Sequence, residues 1–267
     1  MSKLGIVVLI KQVPEMEQVQ FDVESGTLDR SSAGVEINPF DLNALEQAVR
    51  IKEECGGEVT AISMGPSRAE SALREALARG ADRAILLSDR AFAGADTWAT
   101  SLTLSTAIKK LDGFDLIICG EKTVDSDTGQ VGAAVAEFLS IPHVAYVTEV
   151  RGADQDGLTV AQDIWGGIYL KQLEFPGLIT VTKDINEPRL PTLQDKLKSR
   201  NAPIEMWDMD DFSDTLAPDD VGLRGSPTKL RKVTDIVPES KACEMLEGEV
   251  PKAVDELISK LKALEVV

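Results

Sequence analysis

The chain has 267 residues, of which 43% are hydrophobic, so it can bury one large core or a main domain with an appendage. Its 45 acidic and 28 basic residues give a net charge of −17, which would repel a phosphate backbone and argues against nucleic acid as a partner. No apolar run approaches the roughly 18 residues of a membrane-spanning helix, and the start lacks a small-residue cleavage site, so we expect a cytoplasmic protein without membrane insertion.

The cysteines are too few and too scattered for a metal site or a disulfide framework. Cys55, Cys119 and Cys243 lie far apart, no two of them form a CxxC pair, and His143 is the single histidine. We therefore predict no metal site. Cys119 follows an apolar run and is predicted to be a small core residue, while His143 is predicted to be a loop residue rather than a catalyst.

Strand and helix patterns alternate over the first 150 residues. The predicted strands are residues 6–10, 59–64, 84–87, 116–119 and 144–150. Apolar stripes that begin at Leu42, Ala69, Trp98 and Val131 predict the helices. Because strands alternate with helices, the pattern predicts an open parallel α/β sheet with helices on both faces.

The pattern changes after residue 150. Glycine-rich turns separate short β-like runs, and residues 168–173 and 178–182 are predicted to join the same sheet as antiparallel additions. Six prolines then punctuate an irregular stretch of roughly sixty residues, which indicates a partner surface. A helix with a stripe from Val254 to Leu264 follows. We predict an α/β domain in residues 1–185 and an extended C-terminal arm within residues 186–267.

One edge of the predicted sheet has the features of a nucleotide site. The segments predicted to reach that edge are 10–14, 38–41, 64–66 and 120–131. Gly120 permits a tight turn, Asp127 or Thr128 can cap the next helix, and the N–H groups of residues 129–131 would point outward, which suits a phosphate. Asp125 and Asp127 argue against a bare triphosphate and for a nucleotide whose hydroxyls need acceptors.

The residues alone also permit a second interpretation of this loop. In that interpretation the aspartates are ordinary turn and cap residues, and no ligand binds. The usual fingerprints do not decide between the two, because the sequence contains no GxGxxG motif, no GKS or GKT loop, and no SGG loop after its first predicted strand.

Several segments resemble the electron transfer flavoprotein β subunit in their order and spacing. They are NPFDLNALEQAVRIKE, ISMGP, ALARGADRA, GEKTVDSDTGQVGAAVAEFLSIP and TKDINEPRLPTL. The resemblance covers nearly the whole chain, and the run from Gly120 to Pro142 is highly specific in combination with NEPR at 186–189. It implies an α/β subunit of a heterodimer that pairs with an α subunit and carries electrons between flavoenzymes.

The resemblance also implies a set of cofactor-binding residues. In this family the contacts come from the end of the first strand, the NPF segment, the residue before the Gly-Pro turn and the long loop. The matching positions are Leu9, Asn38, Pro39, Phe40, Asp41, Met64, Gly120, Glu121, Lys122, Thr123, Val124, Asp125, Ser126, Asp127, Thr128, Gly129, Gln130 and Val131. No side chain is implied to be catalytic, because the flavin carries the redox chemistry.

The family contains two subtypes that differ in the bound nucleotide. One binds only AMP in this subunit, and the other binds FAD and oxidises NADH, which supports electron bifurcation to the α-subunit flavin and a low-potential acceptor such as ferredoxin. The run from Thr128 to Gly132 resembles the FAD-binding form, so we expect FAD, with AMP as the alternative. An adenylating enzyme on a related nucleotide-binding fold is the alternative of another class, and the missing SGG loop counts against it.

A segment around residues 183–200 has a local excess of two positive charges in this acidic chain. TLQD at 192–195 is a capping box, which predicts a short helix. The resemblance implies a docking loop for a flavin-dependent dehydrogenase, with Leu193 as apolar anchor. The residues implied in docking are Glu187, Pro188, Arg189 and Leu193. A solvated helix is the alternative.

Two further segments are open to more than one interpretation. The basic segment 222–232 is either a solvated loop or a contact with the α subunit or the flavin. The C-terminal helix either folds back on the sheet or wraps the partner. The unpatterned connection before it favours the partner.

Overall fold

The computed structural model describes residues 3–15, 34–229, 245–246 and 248–266, and the backbone of two short strands at 20–22 and 27–29. Two units, Met1–Arg231 and Lys232–Val267, are each compact by themselves. The domain boundary predicted at residue 185 falls inside the first unit. Cys243 and residues 230–232 of the basic segment lie outside the described residues. In the described parts, no helix has the length and apolar character needed to cross a membrane.

Strands and helices alternate through most of the first unit. The strands are β1 (Leu4–Leu9), β2 (Gln12–Pro14), β3 (Gln20–Asp22), β4 (Thr27–Asp29), β5 (Val35–Ile37), β6 (Gly57–Met64), β7 (Arg83–Leu87), β8 (Leu116–Gly120), β9 (His143–Ala153), β10 (Gly157–Ile164), β11 (Gly167–Glu174), β12 (Gly177–Val181) and β13 (Glu205–Trp207). The helices are α1 (Pro39–Cys55), α2 (Glu70–Ala78), α3 (Thr97–Lys109), α4 (Val131–Leu139), α5 (Leu193–Arg200) and α6 (Gly222–Gly225), and the second unit contains α7 (Val250–Ala263).

Nine of these strands form one sheet in the order β11-β10-β9-β12-β8-β1-β6-β7-β13. The pairs from β9 through β12 to β13 are parallel, whereas β9, β10 and β11 pair antiparallel. Two small antiparallel pairs, β2 with β5 and β3 with β4, lie outside the sheet. The predicted fold class, a mainly parallel α/β sheet with antiparallel additions, is therefore confirmed.

The antiparallel assignment of residues 178–182 is wrong. The strand β12 lies between β8 and β9 and runs parallel to both, with Leu178 opposite Ile117 and His143. All five residues of β12 are buried, as expected for a parallel strand covered on both faces. The chain therefore leaves the parallel part through the β10–β11 hairpin and returns to its interior.

Helices cover both faces of the sheet. Along β1, Ile6 and Val8 belong to a buried cluster that includes residues of α1 and α2. Val7 and Leu9, which alternate with them, belong to a second cluster that includes residues of α3 and α4. Alternate side chains of a strand point to opposite faces, so the continuous apolar run at residues 6–10 reflects burial on both sides.

The stretch after residue 186 is more ordered than its sequence pattern predicts. It contains α5, the short strand β13, which pairs with β7 at the sheet edge, and α6. Phe212 is buried, and its ring contacts the ring edges of Phe92 and Trp207 at centroid distances of 6.2 and 6.0 Å. Part of the predicted partner surface is therefore built into the core of the first unit.

The C-terminal helix α7 confirms the predicted helix in the second unit. Its residues Val254, Leu257 and Ile258 fall on one stripe, and each side chain is exposed. Leu264 of the predicted stripe is the C-cap residue rather than part of the helix.

Candidate functional site

The carboxyl ends of β1, β6, β7 and β8 open into a cleft of about 1080 Å³. Loops diverge at this edge of a parallel sheet, which is why ligands collect there. The predicted site residues that line the cleft are Leu9, Asp41, Met64, Gly120, Glu121, Lys122, Thr123, Ser126, Thr128, Gly129, Gln130 and Val131. The predicted residues outside its lining are Asn38, Pro39, Phe40, Val124, Asp125 and Asp127. Of these, Asn38 and Asp127 bond to Lys122, and Asp125 bonds to Lys11.

Asn38 fixes the long loop from the start of α1. Its side chain is fully buried. The Nδ2 group donates to the carbonyl oxygen of Lys122 at 2.9 Å, and the N–H of Val124 donates to Asn38 Oδ1 at 3.1 Å. A buried amide that satisfies two loop backbone groups sets the course of that loop. Asn38 therefore acts on the cleft through the loop.

Asp41, in the first turn of α1, joins two strand ends. Its Oδ2 atom accepts from the N–H of Lys11 at 2.8 Å, and its Oδ1 atom accepts from the N–H of Gly120 at 3.1 Å. Burial raises the pKa of this carboxyl group to about 7, against the smaller opposing effect of these hydrogen bonds. The Asp41 side chain therefore links the carboxyl ends of β1 and β8.

Two glycines permit close approaches around the cleft. A Cβ atom on Gly120 would lie 2.6 Å from both Asp41 Oδ1 and Phe40 Cβ. A Cβ atom on Gly132 would lie 2.6 Å from Thr180 Cγ2 and 2.8 Å from Cys119 Sγ. The reason for glycine at residue 120 is this contact with α1, and no left-handed backbone conformation is involved.

Each loop carboxylate invoked against a phosphate is paired with a lysine. Lys11 Nζ lies 2.8 Å from Asp125 Oδ2, and Lys122 Nζ lies 2.9 Å from Asp127 Oδ1. Burial opposes ionisation of Asp125, but the hydrogen bonds from Lys11 and its neighbours hold its pKa below the usual range. Both lysines line the cleft. The sequence-based argument against a triphosphate therefore loses its physical basis.

The prediction that Asp127 or Thr128 caps α4 is wrong. The N-cap residue is Gln130, and no side chain supplies a cap hydrogen bond. Asp127 instead has a positive φ of 54°, which directs its carboxylate to Lys122. The uncapped first turn of α4 lies beside Gly129, Gln130 and Val131 in the cleft lining. Such a helix start has N–H groups available for an anionic ligand.

Sequence reasoning missed the wall opposite this loop. The segment 88–97 follows β7, and all of its residues except Ala91 line the cleft together with Thr228. Asp96 caps α3 by accepting from the N–H groups of Trp98 and Ala99, and it also accepts from the N–H and Oγ1 of Thr228 at 2.9 and 2.7 Å. The sequence does contain a signal for this wall. The strand β7 is predicted to be parallel, so its carboxyl end must lie at the same edge of the sheet.

Cys119 lies at the end of β8, where it lines the cleft, and His143 lies at the start of β9. Cys119 is buried in the core as predicted, and burial raises the pKa of its thiol, which keeps it protonated and unreactive. The prediction that His143 is a loop residue is wrong, because it is the first residue of β9 and pairs with Leu178, although it is exposed.

The residues of the predicted docking loop are tied to α1 and α2. Arg189 forms ion pairs with Glu46 at 2.8 Å and Glu53 at 2.6 Å. The hydrogen bonds that the Arg189 guanidinium donates to Glu53 and, to a smaller extent, to Glu46 raise its pKa. The carbonyl oxygen of Arg189 accepts from Arg79 Nη1 at 2.6 Å. Arg189 therefore serves the internal structure of the loop.

The neighbouring docking residues are more accessible. Glu187 is exposed, and its carbonyl oxygen accepts from Arg50 at 3.3 Å, while Pro188 is half-buried. The capping box predicted for α5 is present in part, because Thr192 Oγ1 accepts from the N–H of Asp195 at 3.2 Å. Leu193, the first residue of α5, is 75% exposed. The loop is thus held rigidly while this leucine faces solvent.

Comparisons with known proteins agree with this architecture. Residues 25–212 match the model of the electron transfer flavoprotein domain. The chain is 43% identical over 265 residues to electron transfer flavoprotein subunit beta of Thermoanaerobacterium thermosaccharolyticum, covering 99% of this chain and 100% of that protein. Subunit CarD of the caffeyl-CoA reductase-Etf complex of Acetobacterium woodii is 39% identical, with coverage of 99% and 100%. Protein FixA of Azotobacter vinelandii is 41% identical, with coverage of 91% and 88%. The chain therefore belongs to the electron transfer flavoprotein β-subunit family.

Proposed function

We propose that this chain is the β subunit of a heterodimeric electron transfer flavoprotein that binds FAD in the cleft and receives electrons from NADH. In this proposal electrons pass to the flavin of the α subunit, to a partner dehydrogenase and, in the bifurcating case, to a low-potential acceptor such as ferredoxin. The non-bifurcating form with AMP is the alternative. Family membership argues against the adenylating enzyme.

The size of the cleft is the observation that carries the choice of FAD. Ligand pockets typically have volumes of about 300–1000 Å³, and this cleft of about 1080 Å³ is at the upper end. FAD consists of an AMP moiety joined to riboflavin phosphate. The loop around Gly129 accounts for one side of the cleft, and the wall at residues 88–97 encloses further space beyond it.

The residues of the cleft fit the polar groups of such a dinucleotide. Lys11 and Lys122 line the cleft, and their ion pairs with Asp125 and Asp127 neutralise the two loop carboxylates. The N–H groups at the uncapped start of α4 would then stabilise a diphosphate. Glu121 also lines the cleft, where its carboxylate can accept hydrogen bonds from sugar hydroxyls. Bound FAD would itself supply the redox chemistry, while this chain binds and orients it.

The nucleotide content of the purified heterodimer tests the proposal. We expect two FAD molecules per complex of this chain with its α subunit, measured after acid extraction. We also expect NADH to bleach the flavin absorption under anaerobic conditions. One FAD with one AMP would support the alternative. A complex that carries no nucleotide beyond that of the α subunit would contradict the proposal.

Two charge-reversal variants, one inside the cleft and one outside it, test whether the nucleotide binds in this cleft. Lys122→Glu places a carboxylate in the cleft lining beside Asp127 and should remove one nucleotide per complex. Lys171→Glu makes the same change of charge on the exposed strand β11 and should leave the content unchanged. Equal nucleotide content in both variants would place the ligand elsewhere.

We assign dehydrogenase docking to the loop that carries Glu187, Pro188, Arg189 and Leu193. The support is that Leu190, Leu193 and Leu197 are all exposed on a segment that Arg189 anchors to α1. Leu193→Ala should slow electron transfer to the dehydrogenase without changing reduction by NADH. Met206→Ala, a matched truncation of another exposed apolar residue, should change neither rate. If both variants behave as wild type, Leu193 is no anchor.

We also assign the exposed stripe of α7 to contact with the α subunit. Its residues Val254, Leu257 and Ile258 form an apolar face typical of helices that bind a partner. Replacing Leu257 by Glu should weaken the heterodimer in analytical ultracentrifugation, and an unchanged dissociation constant would contradict the assignment. Residues 186–267 would then combine a docking loop with a partner-binding arm.

A further inference from the structure

Tyr146 has a backbone conformation that its side chain disfavours. Its φ angle is +56°, in the left-handed region, where a bulky residue is an outlier. The residue lies at an irregularity of the sheet, because the register between β9 and β12 shifts between Ile179 and Val181. Bulges of this kind redirect a side chain, and they are frequent beside functional sites.

The bulge is held against the first turn of α4. The N–H of Tyr146 donates to Thr180 Oγ1 at 3.1 Å. Thr180 is buried, and its methyl group occupies the space that a Cβ atom on Gly132 would need. Thr180 therefore connects the strained residue of β9 with the start of the helix that borders the cleft.

The phenol of Tyr146 lies near the long loop at Gly129. Its Oη atom lies 3.9 Å from the position that a Cβ atom on Gly129 would occupy. Gly129 lines the cleft and has a φ angle of +63°, a left-handed conformation that favours glycine. The Tyr146 side chain remains 44% exposed, so burial of the ring does not account for the strained conformation.

We propose that Tyr146 is a positioning residue for the nucleotide in the cleft: its phenol braces the loop at Gly129 and keeps the first N–H groups of α4 directed at the ligand. The strained backbone is the cost of placing the ring there. This inference rests on the proposed function, because it concerns retention of the nucleotide assigned to the same cleft. Tyr146 is given no part in electron transfer.

Substitutions that tolerate a positive φ separate strain from function. Tyr146→Gly and Tyr146→Asn both accept the left-handed conformation and both remove the phenol. In the complex with the α subunit, we expect an unchanged or higher Tm together with about tenfold faster nucleotide release, which corresponds to about 1.4 kcal/mol. Tyr146→Phe keeps the ring and should fall between these variants and the wild type.

Ser140 supplies a matched control. It also has a φ angle of +56°, but it caps the far end of α4 and does not line the cleft. Ser140→Gly and Ser140→Asn relieve the same conformation and should leave nucleotide release at the wild-type rate. A general loosening of α4 would instead accelerate release in both sets of variants, which would overturn the positioning role.

The release experiment distinguishes failure of this inference from failure of the proposed function. Wild-type release rates in the Tyr146→Gly and Tyr146→Asn complexes, with one nucleotide still held by this subunit, would overturn the inference and leave the proposed function intact. If that nucleotide is AMP, the same comparison is made on AMP release. If the wild-type subunit holds no nucleotide, both proposals fail together.

Discussion

Asp41 Oδ1 accepts the N–H of Gly120 at 3.1 Å, while the other oxygen of the same carboxylate accepts the N–H of Lys11. The ionised group can accept both bonds, but a protonated carboxyl turns one oxygen into a donor that faces an N–H group. The pKa of Asp41 is about 7, so this junction between β1 and β8 changes its protonation near neutral pH.

The raised pKa of Asp41 predicts a stability term that decreases as pH rises. Between about pH 4 and pH 7 the folded chain holds a proton at Asp41 that the unfolded chain has lost, so the free energy of unfolding decreases with pH. We expect Asp41→Asn to remove this term, up to about 1.4 kcal/mol per pH unit. Urea titrations at several pH values check the difference in slope.

Nucleotide retention should respond to pH in the opposite direction. Protonation of Asp41 weakens one of the two bonds that hold the cleft, so the wild-type complex should release nucleotide faster at pH 6 than at pH 8. Asp41→Asn should release it at a rate that is less dependent on pH. Parallel pH profiles for the two proteins would show that another group is responsible.

Glycine at residue 120 should be required for stability. In Gly120→Ala the new methyl group would meet Phe40 and Asp41 at 2.6 Å, so we expect a loss of about 1–3 kcal/mol in the free energy of unfolding. Gly152→Ala is the control, because a Cβ atom there has nothing within 4 Å. Chemical denaturation measures both. An equal change in the two variants would mean that backbone entropy dominates the effect.

Arg189 should contribute to stability as well as to the proposed docking loop. Among the described residues, Arg189→Gln leaves Arg50 as the remaining charged partner of the buried Glu46 carboxylate, and we expect a loss of about 1–2 kcal/mol in the free energy of unfolding. Arg151→Gln breaks an exposed pair with Glu149 and should cost less than about 0.5 kcal/mol. If the costs are equal, the pair with Glu46 is no stronger than a surface pair.

The cap of α5 should control the local opening of the docking segment. Thr192→Ala removes the acceptor for the N–H of Asp195, and we expect a local loss of about 1 kcal/mol, seen as severalfold faster amide hydrogen exchange in α5. Thr192→Ser keeps the acceptor and should exchange at nearly the wild-type rate. Equal exchange in both variants would show that contacts with α2 hold the segment alone.

Local patterns were sufficient to predict most of the sheet and one side of the cleft. The strands β6, β7 and β8 are recognisable because each is a short apolar run followed by a helix, and β1 is recognisable because its apolar run is continuous. Their parallel pairing places the segments at Asp41, Met64 and Gly120 at one edge. The family resemblance added individual residues that spacing alone does not supply.

The remaining features depend on contacts between distant residues. The strand β12 could be assigned its partners only from the pairing of Leu178 with Ile117, and β13 is three residues long. The predicted N-cap of α4 is wrong because aspartate is a common N-cap residue type, whereas Asp127 pairs with Lys122. Thr228 reaches the cleft by binding Asp96, which is 132 residues away in sequence. Such long-range bonds leave no local pattern.

The interior position of β12 has a consequence for biosynthesis. During translation β8 and β9 are made first, and the strand that separates them, ending at Val181, emerges from the ribosome only after the β10–β11 hairpin. Because closing a long loop is slow, the nascent chain exposes the apolar flank of β8 until then. We expect the binding edge to be completed late, which makes this interval the stage at which a chaperone would protect the chain.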